Sequence, residues 1–266
     1  MINTAVRSPS SSWEVSSIVG DGSLVVVIPA FREAGGIGEV IRRVRCEVPD
    51  ARVIVVDDGS PDATGIQAAA AGADVVRHAV NMGYGVAVQT GLLHALDCGG
   101  RYILLMDADG QHDPGGIPAL LAPVLTGNAD LVLGSRFLSG SGSSYRPSWI
   151  RRAGMRFFAT LCSKVLGQPI TDSTSGFQAM TPTVARFFTS DVFPVDYPDA
   201  DMLIALHFAG FRISEVPARM HANTVGKSMH GGVLRPLYYI FKMSLSILLT
   251  LSRRRELERL AREEVP

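Results

Sequence analysis

Residues 24–28 (LVVVI) form an unbroken apolar run, the pattern of a strand covered on both faces. Ile37, Val40, Ile41 and Val44 then recur at helical spacing until Pro49-Asp50 breaks the chain. RVIVV at 52–56 predicts a second strand, and 64–71 an Ala-rich helix. A short third strand is expected at 74–77, a helix at 85–96, a fourth strand at 102–106, a helix at 118–125 and a fifth strand at 130–134. Strand and helix alternate, so the predicted fold is α/β: a mostly parallel sheet covered by helices. Ligands of such sheets sit beyond the carboxyl ends of the strands. Three polar segments fall there: 29–33, 57–58 and 107–111.

The second half is less regular. Residues 139–148 form a Gly/Ser loop long enough to serve as a lid. An apolar helix at 150–166 carries Arg151, Arg152, Arg156 and Lys164. A turn at 172–177, a helix at 200–209, a strand at 211–216 and a Gly-containing basic loop at 221–232 follow. The segment 234–251 is apolar but interrupted by Lys242 and flanked by Arg235 and Arg253-Arg254-Arg255. A spanning helix needs ~20 predominantly apolar residues. The pattern predicts instead an amphipathic helix, lying in a membrane interface, on a partner, or on the protein's own core. The arginines favour anionic lipid.

Composition narrows the class. The 266 residues are 47 % apolar, enough for a substantial core, with 25 basic and 25 acidic residues. That balance lacks the basic face of a nucleic-acid binder. Cys46, Cys98 and Cys162 are far apart and lack zinc spacing, as suits a reducing compartment. The Ser-rich start has neither the apolar core nor the basic opening of a signal peptide, and reads as a disordered tail. The expected location is the cytoplasm.

Asp107-Ala108-Asp109-Gly110-Gln111-His112 carries the chemistry. Two acidic residues one position apart at a strand's end can offer oxygens to a hard divalent cation, and Gln111 can add a neutral one. Mg²⁺ and Mn²⁺ favour such sites and share them with substrate phosphates. A cation there would draw charge from a departing diphosphate without proton transfer.

Six segments in order complete the pattern: 25–33 (VVVIPAFRE), 55–60 (VVDDGS), 81–85 (NMGYG), 107–114 (DADGQHDP), 134–136 (GSR) and 172–177 (DSTSGF). Together they resemble family 2 glycosyltransferases of the GT-A fold, specifically the dolichyl- or polyprenyl-phosphate sugar synthases. The resemblance covers roughly residues 24–232. It implies a Rossmann-like nucleotide-binding sheet and inverting transfer from a nucleotide-activated sugar. It places Mg²⁺ or Mn²⁺ on Asp107, Asp109 and Gln111. Pro29, Phe31 and Glu33 would line the nucleoside pocket, with Asp57 and Asp58 at base or ribose; an Asp at a helix start can equally be an N-cap. Gly83 belongs to a candidate phosphate loop, although family members often carry Lys or Arg where Tyr84 stands. Arg136 and Lys227 are candidate phosphate ligands. Arg151, Arg152 and Arg156 could cradle an acceptor phosphate or simply form a solvated face. Asp172 shapes either the acceptor side or a structural turn.

Asp201, with Asp199 second, is the candidate general base if the acceptor is a hydroxyl; a helix-start acid favoured by the dipole is the plainer alternative. A lipid phosphate is already ionised and needs no base. The expected function is hexose transfer from a GDP- or UDP-sugar to polyprenyl phosphate at the inner membrane face. The alternatives are transfer to a glycan hydroxyl, or an inactive nucleotide-sugar-binding scaffold for a membrane partner. A Rossmann oxidoreductase is disfavoured, because no Gly-x-Gly-x-x-Gly follows the first strand. The chain divides into a tail (1–23), a catalytic domain (24–232) and an amphipathic helix with a basic tail (233–266). Attachment is expected to be peripheral, with a small membrane protein as a candidate partner.

Overall fold

The computed structural model describes residues 22–144, 149–190, 200–221 and 234–264. Most of the expected tail, Asp199 and Lys227 lie outside them. The first half alternates as the apolar runs predict: β1 (Leu24–Ala30), α1 (Ile37–Glu47), β2 (Arg52–Asp57), α2 (Thr64–Ala70), β3 (Asp74–Arg77), α3 (Tyr84–Asp97), β4 (Tyr102–Leu105), α4 (Ile117–Leu125) and β5 (Leu131–Ser135). Then come α5 (Trp149–Leu166), β6 (Gln178–Met180), α6 (Pro182–Phe188), α7 (Ala200–Phe208), β7 (Ile213–Pro217), α8 (Leu234–Ser252) and α9 (Arg254–Glu264).

One seven-stranded sheet runs β3-β2-β1-β4-β6-β5-β7. The pairs β1–β2, β2–β3, β1–β4 and β5–β7 are parallel, while β6 runs antiparallel to both β4 and β5. The sequence pattern missed both β6 and α6. Every residue of β1 is buried, as a two-sided strand requires. Alternate side chains feed two cores: Val25 and Val27 meet α3 and the α5–α8 layer, while Leu24, Val26 and Ile28 meet α1 and α4.

From β1 the chain steps outward through β2 to β3, then returns to lay β4 on the other side of β1. This reversal opens a crevice between the carboxyl ends of β1 and β4, where doubly wound sheets bind ligands. The segment after Ala30 and the acidic loop after Leu105 flank it.

The C-terminal helices pack on the domain. Met243 and Ile247 of α8 and Leu257 of α9 join the core beside α7. Among the described residues no helix is long and apolar enough to cross a membrane.

Candidate active site

The acidic loop is rigidly framed. Met106 N–H still donates to Val27 O (3.0 Å), so the chain leaves the sheet at Asp107. Asp109 Oδ1 accepts the Gln111 backbone N–H at 3.0 Å, and its other oxygen accepts the Gln111 side-chain amide. Gly110, at φ 71°, supplies the left-handed turn between them. Asp107 Oδ1 accepts the Tyr84 hydroxyl at 3.0 Å. His112 stacks on Phe177, with centroids 5.1 Å apart, and its Nδ1 accepts the Asp107 N–H at 3.4 Å. Its buried Nε2 has no hydrogen-bond partner and lies 3.8 Å from Asp107 Oδ2. Burial holds this imidazole neutral, with its pKa lowered to about 4.

Gly176 closes the back of the site. A Cβ there would sit 2.5 Å from Asp107 Oδ2 and 2.8 Å from Oδ1, so only glycine lets the 172–177 turn approach the carboxylate. The carboxylate is not sealed off: 32 % of the Asp107 side chain is accessible. Burial raises the pKa of Asp107, while the Tyr84 bond and the Arg136 charge pull it down. Burial, then the Asp107 charge, raises that of Asp109. Glu33 rises through burial and the charges of Asp109, Asp62 and Asp107, which puts it in the same field. Three carboxyls thus repel one another across the crevice.

Such an electrostatic arrangement fits a cation. Among the described residues no group of three or more His, Cys, Asp or Glu side chains could hold a metal unaided. Mg²⁺ and Mn²⁺ bind through one or two carboxylates and complete their shell with waters and substrate phosphates, so Asp107 and Asp109 are a sufficient acid set for either.

The β1 end presents half-buried Phe31 and Glu33 after buried Pro29. Arg32, at φ 60°, is the one described non-glycine residue with positive φ; its N–H donates to Ser60 Oγ (3.1 Å), and its guanidinium lies over the Phe31 ring. Glu33 N–H donates to Thr64 Oγ1 at 2.9 Å. The loop therefore rests on the β2–α2 turn.

Several predicted site residues are engaged within the protein. Asp57 is fully buried; Oδ1 accepts Ser60 N–H at 3.0 Å, and Oδ2 lies 3.6 Å from Arg77 Nε under Gly65. Asp58 accepts the N–H groups of Met82 (2.8 Å) and Gly83 (2.9 Å) and pairs with His78 Nδ1 (2.7 Å). It anchors the 81–83 loop rather than capping α2, and it takes the Gly83 N–H that a phosphate loop would offer.

Arg136 gives Nε and Nη2 to the two oxygens of Asp172 at 2.6 Å each, and Nη2 also donates to Thr174 Oγ1 at 2.8 Å. This bidentate pair is nearly buried, so the expected phosphate ligand and the expected acceptor-side acid are bound to each other. Glu215 accepts the N–H groups of Thr171 and Asp172, both at 2.8 Å, and fixes the turn from the β7 side.

Asp201 is 3 % exposed. Oδ1 accepts its neighbour's Met202 N–H at 2.9 Å, and Oδ2 accepts the Ser246 hydroxyl of α8. The carboxylate therefore stands in the α7–α8 packing rather than at an open rim. Arg151, Arg152 and Arg156 are exposed on α5. Trp149, Arg152, Ala153 and Arg156 line a depression of about 440 Å³ on α5. Beyond β7 the chain returns to the acidic loop, where His221 N–H donates to Gln111 O at 2.7 Å.

Tyr84, Gly176, His112 and Ser246 were given no role by the sequence reading. The signals for Gly176 and His112 lay in the quoted segments, but the Gly176–Asp107 and His112–Phe177 contacts cross between segments far apart in the chain.

Residues 25–186 match the family model described as Glycosyl transferase family 2, and the chain belongs to that family. It is a glycosyltransferase with a GT-A-like fold. An undecaprenyl-phosphate mannosyltransferase of Micrococcus luteus is 33 % identical over 220 residues, covering 79 % of this chain and 89 % of the relative. A polyprenol monophosphomannose synthase of Mycolicibacterium smegmatis is 33 % identical over 218 residues, covering 78 % and 81 %. A structure of glucosyl-3-phosphoglycerate synthase from Mycobacterium tuberculosis, in complex with Mn²⁺ and uridine-diphosphate-glucose, superposes with a TM-score of 0.64 at 24 % identity, over 92 % of this chain and 84 % of that one.

Proposed function

We propose that the protein transfers a hexose from a nucleoside-diphosphate sugar to a polyprenyl phosphate at the inner face of the membrane. One observation carries the donor half: a repelling carboxylate pair, Asp107 and Asp109, opens into the β1–β4 crevice. In this reading the two carboxylates hold Mg²⁺ or Mn²⁺, with Gln111 as the adjacent neutral donor. The cation, when bound, supplies a Lewis acid for the leaving diphosphate. Phe31 and Glu33 face the nucleoside. Asp57, Asp58 and Gly83 act indirectly, by holding the loops that frame it, and Lys227, outside the described residues, is retained as a diphosphate ligand.

The acceptor half rests on Asp201. A hydroxyl acceptor needs an accessible base, and Asp201 would have to shed Ser246 and leave the core to act as one. A phosphate acceptor is ionised already, and the relatives' names point the same way. Arg152 and Arg156, in their depression on α5, are the proposed acceptor cradle, with Arg151 beside them. Arg136 and Asp172 position the 172–177 turn against Asp107.

Attachment uses the outer faces of α5 and α8. Trp149 and Phe157 on α5, and Phe241, Leu245, Leu248 and Leu249 on α8, are exposed. A Cβ at Gly154 would meet Ile240 at 3.5 Å, so the two helices lie side by side. Apolar residues with nearby arginines suit an anionic interface.

Asp201→Asn tests the acceptor class. Near-normal turnover with polyprenyl phosphate is expected, and loss of a pH-dependent rate with a glycan acceptor would favour the hydroxyl reading instead. A thermal-shift panel with Mn²⁺ and UDP, GDP or dTDP should give a selective rise with one nucleotide. Binding without turnover on any lipid phosphate would favour the scaffold reading.

A further inference from the structure

The metal loop has a neighbour with no assigned role. Tyr84 is the first residue of α3, and its half-buried ring packs against the core on that side of the sheet. Its hydroxyl crosses to Asp107 Oδ1 at 3.0 Å. We propose that Tyr84 is a positioning residue: its hydroxyl fixes the Asp107 carboxylate in a cation-ready orientation, with Oδ2 and the remaining lone pair of Oδ1 left for the ion. The proposal rests on the metal role given above to Asp107.

The contacts around both residues support it. The tyrosine itself cannot drift. Asp58 takes the N–H groups of Met82 and Gly83, and Asn81 Nδ2 donates to Asp58 O at 3.3 Å. Gly83 holds φ 98°, a backbone conformation open mainly to glycine, and delivers the chain into α3 at Tyr84. The two loops are in backbone contact, since a Cβ on Gly59 would lie 2.4 Å from Val80 C. His78, held between Asp58 and Thr90 Oγ1 (3.0 Å), braces the assembly.

Asp107 in turn has little other room. Gly176 walls one side at contact distance, and His112 Nε2 stands 3.8 Å from Oδ2. The hydroxyl therefore selects among the few orientations the wall permits. Partners that orient metal-ligating carboxylates are worth about ten-fold or more in metal affinity. The same path ties the end of β2, where Asp58 sits, to the metal ligand at the end of β4.

The experiment is Mn²⁺ titration calorimetry on the full chain without donor, for wild type, Tyr84→Phe and Tyr84→Leu. Both variants lack the hydroxyl, so both should bind Mn²⁺ about ten-fold more weakly, and to the same extent. A steady-state series should show the loss as a raised Mn²⁺ requirement, with kcat recovered at saturating metal. Unchanged affinity in Tyr84→Phe overturns the proposal, and so does a loss confined to Tyr84→Leu, which would assign the effect to ring packing. Where the wild type binds Mn²⁺ only with UDP or GDP present, the series is read in that complex; failure to bind with either would instead sink the metal role of Asp107.

Discussion

Gly176→Ala is the sharpest probe of how the site is held. The new methyl would lie 2.5 Å from Asp107 Oδ2, 2.8 Å from Oδ1 and 2.9 Å from Cγ, whereas ordinary contact begins at 3.4 Å. Something must retreat by roughly 1 Å, and such overpacking costs about 1–3 kcal/mol. The turn is the stiffer side. Ser175 Oγ donates to Gly134 O at 2.7 Å, Gly134 N–H donates to Phe177 O at 2.8 Å, and Arg136 grips Asp172. The carboxylate is therefore expected to move. A shift near 1 Å can cost about 100-fold in rate, while the strain lowers Tm by roughly 2–4 °C per kcal/mol. Thermal unfolding, Mn²⁺ calorimetry and steady-state transfer read the three effects separately. A variant with wild-type Mn²⁺ affinity and turnover within about two-fold would refute the claim that the turn sets the position of Asp107.

Other consequences follow from the same contacts. Asp58→Ala strips three partners from a buried carboxylate and should destabilise by about 3 kcal/mol in urea unfolding; a loss under about 0.5 kcal/mol would show that the 81–83 loop is held otherwise. The raised pKa values of Asp107 and Asp109 mean that the folded, metal-free protein keeps their protons to higher pH than the ordinary 3.8. Mn²⁺ must displace those protons, so its affinity should weaken as pH falls through the raised values, with proton release seen by calorimetry in buffers of different ionisation enthalpy. His112 has the opposite sign: its pKa falls from 6.5 to about 4, so the unfolded chain binds the proton first. Its share of stability is complete above 6.5 and is lost as pH drops towards 4; His112→Phe should flatten that part of a urea-unfolding profile. Leu245→Glu with Leu248→Glu, at positions 47 % and 63 % exposed, should abolish flotation with anionic vesicles and leave Tm unchanged, whereas retained flotation would move the contact elsewhere.

The strands that build the crevice were legible because two-sided strands leave continuous apolar runs, as β1, β2, β4 and β5 do; β3, the half-exposed edge strand, offers only Val75 and Val76. The three residues of β6 leave no such run, since one of them is Gln178, and its antiparallel direction depends on neighbours 40 and more residues away. Helix α6 carried a signal in Thr181-Pro182, where Thr181 Oγ1 accepts Val184 N–H at 3.4 Å and proline starts the helix, but seven residues are too few for periodicity to declare. In the site, Asp107 and Asp109 were readable because a strand end fixes where they point. The pairing of Arg136 with Asp172 was not, because each is a plausible ligand in isolation and only the fold brings them to 2.6 Å. Asp201 looks accessible at a helix start; α8, placed over it through Ser246, is what buries it.

Crystals of the protein with Mn²⁺ and a non-hydrolysable nucleoside-diphosphate sugar, measured at the manganese absorption edge, would locate the ion against the two acids. An anomalous peak is expected within coordinating distance of Asp107 and Asp109 and of both phosphates of the donor. A peak elsewhere, or a diphosphate bound with both carboxylates turned away from it, would contradict that placement.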